Sequence, residues 1–128
     1  QNQWHYPQIN LPQAWDVTTG ADAIVAVIDT GVVISHPDLQ GQLVDGYDFV
    51  ADRNNAGDGD GIDPDPNDPG GQFSSTFHGT HIAGTVAAVT NNGIGGAGVA
   101  FGAKVMPSPP PPATKAAVRP PIRRLIQG

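Results

Sequence analysis

Apolar residues form two short runs along the chain, and each run predicts a buried β-strand. Ala23 to Ile28 make an unbroken apolar run rich in β-branched residues, and residues 99–107, VAFGAKVMP, make a second. A run without alternation is typical of a strand covered on both faces, as in a parallel sheet between helices. The pattern therefore predicts an α/β fold with a largely parallel sheet and helices on both faces.

Two helices are predicted around these strands. Within residues 10–20, Pro12 suits a first helical turn and Gly20 is a stop signal, which predicts a short helix. A second helix is predicted from about residue 78 to 89, ended by TNNGIGGAG. Gly84 costs about 1 kcal/mol relative to alanine inside a helix, and close packing would offset this cost. The small residues expected to bring this helix close to the sheet are Ala83, Gly84, Thr85, Ala87 and Ala88.

Two other segments lack such patterns. Thirteen of the sixteen residues in 56–71 are Asp, Gly or Pro, which predicts a long surface loop. Six prolines within residues 109–121 are incompatible with a central strand. We therefore divide the chain into residues 1–107, which carry the predicted fold, and a proline-rich basic tail, residues 108–128.

Composition and charge narrow the classes of function. The 128 residues include no cysteine, which excludes disulfides and thiolate metal sites. Residues 1–102 carry all twelve Asp and only Arg53, a net charge of −11, whereas residues 103–128 carry five basic residues. Such an acidic body argues against a nucleic-acid partner. No window approaches the roughly 20 apolar residues of a membrane span, and the start, QNQWHYPQ, is typical of a processed N-terminus.

Asp29 and His78 are the candidate chemical groups. Asp29 closes the first predicted strand, at the edge where open α/β sheets place their sites, although an Asp here can also simply form a turn. His78 opens the second predicted helix, whose N-terminus disfavours the imidazolium. A nearby carboxylate would restore the basicity of the ring and select its tautomer. Taken alone, His78 is equally compatible with a surface role.

Three segments together resemble one family. VIDTGVVISHPDL and HGTHIAGTVAA resemble the Asp and His motifs of the subtilisin-like serine proteases, and NNGIGGAGVAFGAKVMP resembles the stretch after the catalytic His. The resemblance covers about residues 4 to 107, the N-terminal portion of the catalytic domain. It implies a secreted endopeptidase that acts on polypeptides through an acyl-enzyme, as in bacterial members with an acidic insert. By the same resemblance Asp29 is the triad acid, His78 the general base and His81 a buried structural histidine.

The resemblance also implies calcium. In the family, an Asp after a His-Pro pair and a loop after the His helix share one ion, and the corresponding residues here are Asp38 and Asn92, with backbone carbonyls near Thr90, Ile94 and Gly96. Carboxylate and carbonyl oxygens suit this hard cation. A second ion is predicted in the acidic loop, where like charges without a basic partner would repel one another, although a merely solvated loop is the alternative. Its candidate ligands are Asp58, Asp60, Asp63, Asp65 and Asp68.

The resemblance does not extend to a serine nucleophile. The only serines are Ser35, Ser74, Ser75 and Ser108, and none lies in the family's Gly-Thr-Ser motif. We therefore expect the isolated chain to be inactive, and a complementary C-terminal part of the same protease, or a polypeptide substrate or inhibitor, to be its partner. The alternative is a calcium-binding fragment or pseudo-enzyme without catalysis.

Two other protease classes remain as alternatives. IDTG, residues 28–31, is also the signature of aspartic proteases, in which two chains would pair their copies of Asp29. His78 and His81 are three residues apart and could bind zinc from one helix face. The usual zinc motif, however, places its histidines four apart with an intervening Glu, and this chain has no Glu.

Overall fold

The computed structural model describes residues 3–56, 59–70 and 77–110. In chain order the elements are α1 (His5–Gln8), α2 (Leu11–Trp15), β1 (Ile24–Val27), a 3₁₀ turn (Pro37–Leu39), α3 (Arg53–Ala56), α4 (His78–Ala87) and β2 (Lys104–Pro107). Asp58, Ser74, Ser75 and most of the predicted tail lie outside the described residues.

The two strands form a parallel sheet, as the apolar runs predicted. Their register runs from Ile24 opposite Lys104 to Val27 opposite Pro107. Because the strands are parallel, their carboxyl ends meet at one edge, and Asp29 follows β1 at that edge. The α/β class is thus confirmed, and this edge positions the candidate site.

Helix α4 packs on one face of the sheet and closes the hydrophobic core. Its alanines Ala83 and Ala87 contribute no exposed surface and lie in one cluster with strand residues Val27 and Val105. Alanine is the smallest side chain that still removes apolar surface from water, so it allows a close approach of helix and sheet. The small residues at these two positions therefore act as the sequence predicted.

Gly84 does not act as predicted. A Cβ placed on Gly84 would meet nothing within 4 Å among the described residues, so close packing does not explain this glycine. Gly79 is the residue that permits close approach, because a Cβ there would collide with the carbonyl oxygen of Gly31. The prediction for Gly84 was wrong because periodicity alone does not tell which small residue faces the sheet. Thr85, from the same predicted set, is exposed and does not bring the helix close to the sheet either.

Several element boundaries differ from the predicted ones. Helix α4 ends at Ala87, two residues early, because the backbone N–H of Val89 leaves the helix and donates to the carbonyl of Asp38 at 2.8 Å. Residues 99–103 are not part of β2. The backbone N–H groups of Val99 and Ala100 instead donate to the carbonyls of the last helical turn, at Thr85 and Val86. These bonds satisfy acceptors that a helix end leaves free.

The opposite face of the sheet is open in the described part of the chain. Ile24 is 62% exposed and Ile28 is 68% exposed, and Met106 on β2 is also exposed. The unbroken apolar run predicted that both faces of the sheet would be covered by other elements. In the described part of the chain, only the face that contacts α4 is covered. Ile24, Ile28 and Met106 therefore leave an exposed apolar surface on this face within the described residues.

Little regular structure occurs between the 3₁₀ turn and α4 within the described ranges. Helix α3 is a single turn, and the acidic loop after it is held by an antiparallel bridge between Asp48 and Asp63 and a parallel bridge between Val32 and Asn67. The second bridge places the loop beside the segment that follows Asp29. Of the helices in the described part, none is long and apolar enough to cross a membrane.

Candidate active site

Asp29 and His78 meet at the carboxyl edge of the sheet. The Nδ1 atom of His78 lies 2.8 Å from both Oδ1 and Oδ2 of Asp29. An ionised carboxylate can only accept hydrogen bonds, so Nδ1 carries the proton and Nε2 of the neutral ring has a free lone pair. This arrangement orients an imidazole as a general base.

The two side chains differ in their exposure. The imidazole of His78 is 54% exposed, whereas the carboxylate of Asp29 is 19% exposed. A reacting group can therefore reach the ring, while the carboxylate behind it is mostly covered. This asymmetry suits a base that exchanges protons with a substrate and an acid that only orients the base.

The ionisation of Asp29 reflects its hydrogen bonds. Burial raises the pKa of Asp29, but the N–H of Thr30, which donates to Oδ1 at 2.8 Å, and the ring of His78 together outweigh burial and hold this pKa below its ordinary value. Hydrogen bonds to the charged form favour it. Asp29 is therefore a carboxylate throughout the neutral range.

Backbone and hydroxyl contacts hold α4 against the segment after β1. The N–H of Gly79 donates to the hydroxyl of Thr30 at 3.1 Å, and the N–H of Val33 donates to the hydroxyl of Thr80 at 2.9 Å. Together with the contact of Gly79 and Gly31, these bonds fix the first turn of α4 over the end of β1. The spatial relation of His78 to Asp29 thus follows from local contacts on both sides.

A second carboxylate, Asp38, lies where the resemblance implied calcium. Asp38 is 6% exposed and accepts hydrogen bonds from Nδ2 of Asn92 at 2.7 Å and from the N–H of Gly96 at 3.1 Å. The hydroxyl oxygen of Thr90 is buried and has no hydrogen-bond partner among the described residues. Ile94 lies in the same loop, and its N–H donates to Oδ1 of Asn92. Of the predicted set, the structure thus places Asn92 and Gly96 in contact with the buried charge of Asp38, and a bound ion stays a prediction.

The acidic loop is arranged differently from the predicted ion site. Among the described residues, no group of three or more His, Cys, Asp or Glu side chains comes close enough to hold a metal ion. Asp63 and Asp65 accept from backbone N–H groups two residues on, as in turns, and Asp60 also has an interaction partner. Asp68 is buried and accepts hydrogen bonds from other segments. Asp63 and Asp65 therefore stabilise turns of the loop, whereas Asp68 connects the loop to other segments.

His81 is not the buried histidine that the resemblance implied. Its side chain is exposed and lines a cavity of about 550 Å³ together with Phe77, Thr80 and Gly84. His81 lies one helical turn after His78, but the described residues supply no third metal ligand, and Nδ1 of His78 is engaged by Asp29. Zinc binding by these two histidines thus has no support.

Sequence reasoning missed two supporting residues. Gln3 ties the start of the chain to the loop beside Asp38, because its amide donates to the carbonyl of Ala97 at 2.7 Å and accepts from the N–H of Ala97 at 3.1 Å. Thr30 was given no role of its own in the sequence, yet its hydroxyl joins three segments. No local pattern could identify Gln3, whereas Thr30 is next to Asp29 and could have been considered.

Comparisons with known proteins match this chain to one family of proteases. The Peptidase_S8 profile, the subtilase family, matches residues 20–124. An extracellular protease from Xanthomonas campestris pv. campestris is 49% identical over 111 residues, which are 77% of this chain and 19% of that protein. An extracellular basic protease from Dichelobacter nodosus is 44% identical over 127 residues, covering 84% of this chain and 21% of that protein.

A solved structure supports the same assignment. A protease from Pseudoalteromonas arctica superimposes with a TM-score of 0.78 at 48% identity, covering 84% of this chain and 36% of that one. The chain thus spans about a fifth of the curated relatives named above. IDTG at residues 28–31 accordingly belongs to a serine protease family rather than to the aspartic proteases. The parallel sheet, the Asp29–His78 pair and these matches lead to one conclusion: the chain belongs to the subtilase family.

Proposed function

We propose that this chain contributes the acid and the base of a serine endopeptidase that cleaves polypeptides through an acyl-enzyme. The observation that carries the proposal is the contact of Nδ1 of His78 with both carboxylate oxygens of Asp29 at 2.8 Å. Membership of the subtilase family supports the reaction class. The chemistry follows from the protonation state of this pair.

His78 would act as base and then as acid in forming the acyl-enzyme, and again in the same two roles when water attacks the acyl-enzyme and the serine leaves with its proton restored. In the first step its Nε2 takes the proton of a serine hydroxyl as that oxygen attacks the peptide carbonyl, and the ring becomes an imidazolium beside the negative Asp29. In the second step the imidazolium gives the proton to the leaving amine. Asp29 keeps its charge throughout and stabilises the imidazolium, in agreement with the lowered pKa of this carboxyl.

The serine nucleophile is proposed to come from a complementary C-terminal part of the same protease. None of the four serines of the 128-residue chain lies in a Gly-Thr-Ser sequence. Ser108 lies near the carboxyl edge, where its N–H donates to the carbonyl of Val27, but it does not precede a helix that would present its hydroxyl to His78 among the described residues. We therefore propose that the chain alone is inactive.

We also propose calcium at Asp38. The residue types fit this ion because the carboxylate of Asp38, Oδ1 of Asn92 and the hydroxyl of Thr90 are all oxygen ligands, and the Thr90 hydroxyl has no hydrogen-bond partner among the described residues. Asp38 lies in the 3₁₀ turn, and the other two lie in the loop after α4. Calcium would neutralise a buried charge whose hydrogen-bond donors among the described residues are neutral groups. In the described part of the acidic loop the carboxylates do not come close enough together to bind an ion. We therefore propose a calcium site at Asp38 and none in the described part of the acidic loop. Secretion is proposed because the two curated relatives are named as extracellular proteases.

A chimera tests the activity. Residues 1–107 of this chain would replace the matching segment of the Pseudoalteromonas arctica protease, and peptide hydrolysis and labelling by a serine-directed phosphonate would be measured. We expect hydrolysis and stoichiometric labelling in the chimera, loss of hydrolysis in its His78→Ala variant, and neither activity in the 128-residue chain. A folded chimera that binds peptide but shows no hydrolysis would favour the calcium-binding pseudo-enzyme.

A further inference from the structure

Asp68 is a buried carboxylate that neither the catalytic chemistry nor the proposed calcium site uses. It is 7% exposed and sits in the acidic loop, beside the segment that follows β1. A buried charge is costly unless it is well hydrogen-bonded, so the donors that satisfy it identify its role. Those donors come from both segments that carry the Asp29–His78 pair.

One oxygen of Asp68 joins the two catalytic segments. Its Oδ2 accepts from the hydroxyl of Thr30 at 3.0 Å and from the backbone N–H of Phe77 at 3.1 Å. Thr30 directly follows Asp29, and Phe77 directly precedes His78. The other oxygen, Oδ1, accepts from the N–H of Gly70 at 2.9 Å and so anchors the carboxylate to its own loop.

The direction of the Thr30 hydroxyl adds a further link. Because the N–H of Gly79 donates to the Thr30 oxygen, that oxygen acts as acceptor there and its own proton points to Asp68. Asp68, Thr30 and the first turn of α4 therefore form one continuous set of hydrogen bonds. The set spans the junction of β1, the acidic loop and α4.

The backbone of Phe77 explains why such an anchor is needed. Phe77 has a φ of +64°, in the left-handed region that side-chain-bearing residues rarely adopt. No side chain caps the N-terminus of α4 at this residue, and its own N–H is held by Asp68. A strained conformation persists only where its surroundings enforce it. The strained residue is the one that sets the direction from which the chain enters His78.

We propose that Asp68 is a positioning residue that holds Asp29 and His78 in register by binding Thr30 and Phe77. This inference rests on the proposed function of the pair, but its structural content can be measured without catalysis. Without Asp68, Phe77 is free to relax out of the left-handed region and Thr30 loses one partner. The ring of His78 would then spend less time on the Asp29 carboxylate.

The test uses the full 128-residue chain and its Asp68→Ala, Asp68→Asn and Asp45→Ala variants. Nitrogen-15 shifts of the His78 ring at a pH where it is neutral give the fraction with the proton on Nδ1, and carbon-13 shifts of the Asp29 carboxyl give its pKa. Asp45→Ala, at an exposed position outside the hydrogen-bonded set, removes one negative charge and serves as the control. A purely structural Asp68 would change the thermal midpoint but neither of these two readouts in the folded protein.

We expect Asp68→Ala to lose much of the Nδ1–H tautomer and to raise the pKa of Asp29 towards its ordinary value, while Asp45→Ala behaves as wild type. Asp68→Asn keeps an acceptor oxygen without the charge, so it should fall between wild type and alanine. Wild-type readouts in Asp68→Ala, or in Asp68→Asn if the alanine variant does not fold, overturn the inference. An inactive chimera with intact His78 readouts would instead count against the proposed function alone.

Discussion

Two carboxylates in this chain, Asp29 and Asp38, are both held by backbone N–H groups, yet their side-chain partners and their burial differ. Asp29 contacts an imidazole, a group that can gain a positive charge. Asp38 is more deeply buried and contacts an amide and a backbone N–H, which are neutral. The charge of Asp29 thus has a titratable partner inside the chain. Around Asp38, the described residues provide no cationic side chain.

On the functions proposed here, this difference distinguishes the reactive site at Asp29 from the calcium site at Asp38. A carboxylate next to an imidazole stabilises the protonated ring and so makes it a better base. A buried carboxylate with only neutral donors remains an uncompensated charge, and an external cation is the natural compensation. The comparison therefore predicts that substitutions of Asp29 or His78 lower the catalytic rate, and that removal of metal from the Asp38 site lowers the stability of the fold.

The largest expected effect is the loss of catalysis when the Asp29–His78 pair is substituted. In the active chimera, His78→Ala and Asp29→Asn should lower kcat by about 10⁴-fold or more, because the base or its orienting acid is lost. Steady-state peptide hydrolysis measures this, with Asp45→Ala as the control for loss of a surface charge. Full activity in His78→Ala would show that the base lies elsewhere.

The contact between α4 and the end of β1 predicts opposite effects for two glycines in one helix. Gly79→Ala should destabilise the chain by about 3 kcal/mol, because its Cβ would collide with the backbone of Gly31. Gly84→Ala should stabilise it by about 1 kcal/mol, because its Cβ meets open space and alanine favours the helix. Urea unfolding of both variants tests the pair, and equal effects would contradict the described packing.

Metal removal should lower the thermal stability of the chain through the Asp38 site and not through the Asp29–His78 pair. Excess EDTA should lower the thermal midpoint of the chain, since an ion present at about 100 times its Kd contributes about 2.7 kcal/mol. Calorimetry with and without calcium measures the shift. The Asp38→Asn variant should have a midpoint that no longer depends on calcium, whereas Asp29→Asn should keep this dependence. An unchanged wild-type midpoint in EDTA would remove the proposed ion.

The smallest expected effect is on the pH dependence of stability. The pKa of Asp29 is lower in the folded chain than ordinarily, so its contribution to stability is present at neutral pH and is lost as the pH falls below about 4. The Asp29→Asn variant should therefore lose less stability than wild type between pH 5 and the acid range, as followed by urea unfolding at several pH values. Parallel curves for the two proteins would argue against a depressed pKa.

The parts of this structure that sequence could predict depend on ordered motifs. The unbroken run before Asp29 and the later run ending at Pro107 correctly predicted parallel strands, and the motif order placed the acid and the base on facing segments. Such features are predictable because strand periodicity and the carboxyl-edge rule act over a few residues. The contact between Asp38 and Asn92 could be anticipated only through the resemblance, because the two residues are far apart in the chain, and the ion that they were predicted to share stays a prediction.

The features that sequence could not predict depend on contacts between distant segments. Gly84 and Gly79 look equivalent in the sequence, and only the packing direction of α4 separates them. Asp68 is one of many loop aspartates, and its link to Phe77 and Thr30 follows from how the acidic loop folds back. The exposure of His81 similarly depends on which segments cover α4.

The central claim is that Asp29 holds His78 as a base with its proton on Nδ1. The most direct measurement is the nitrogen-15 spectrum of the His78 ring in the 128-residue chain at a pH where the ring is neutral. The account predicts a protonated Nδ1 and an unprotonated Nε2 in wild type, and loss of this preference in Asp29→Ala. A neutral ring with its proton on Nε2, unchanged by the substitution, would contradict it.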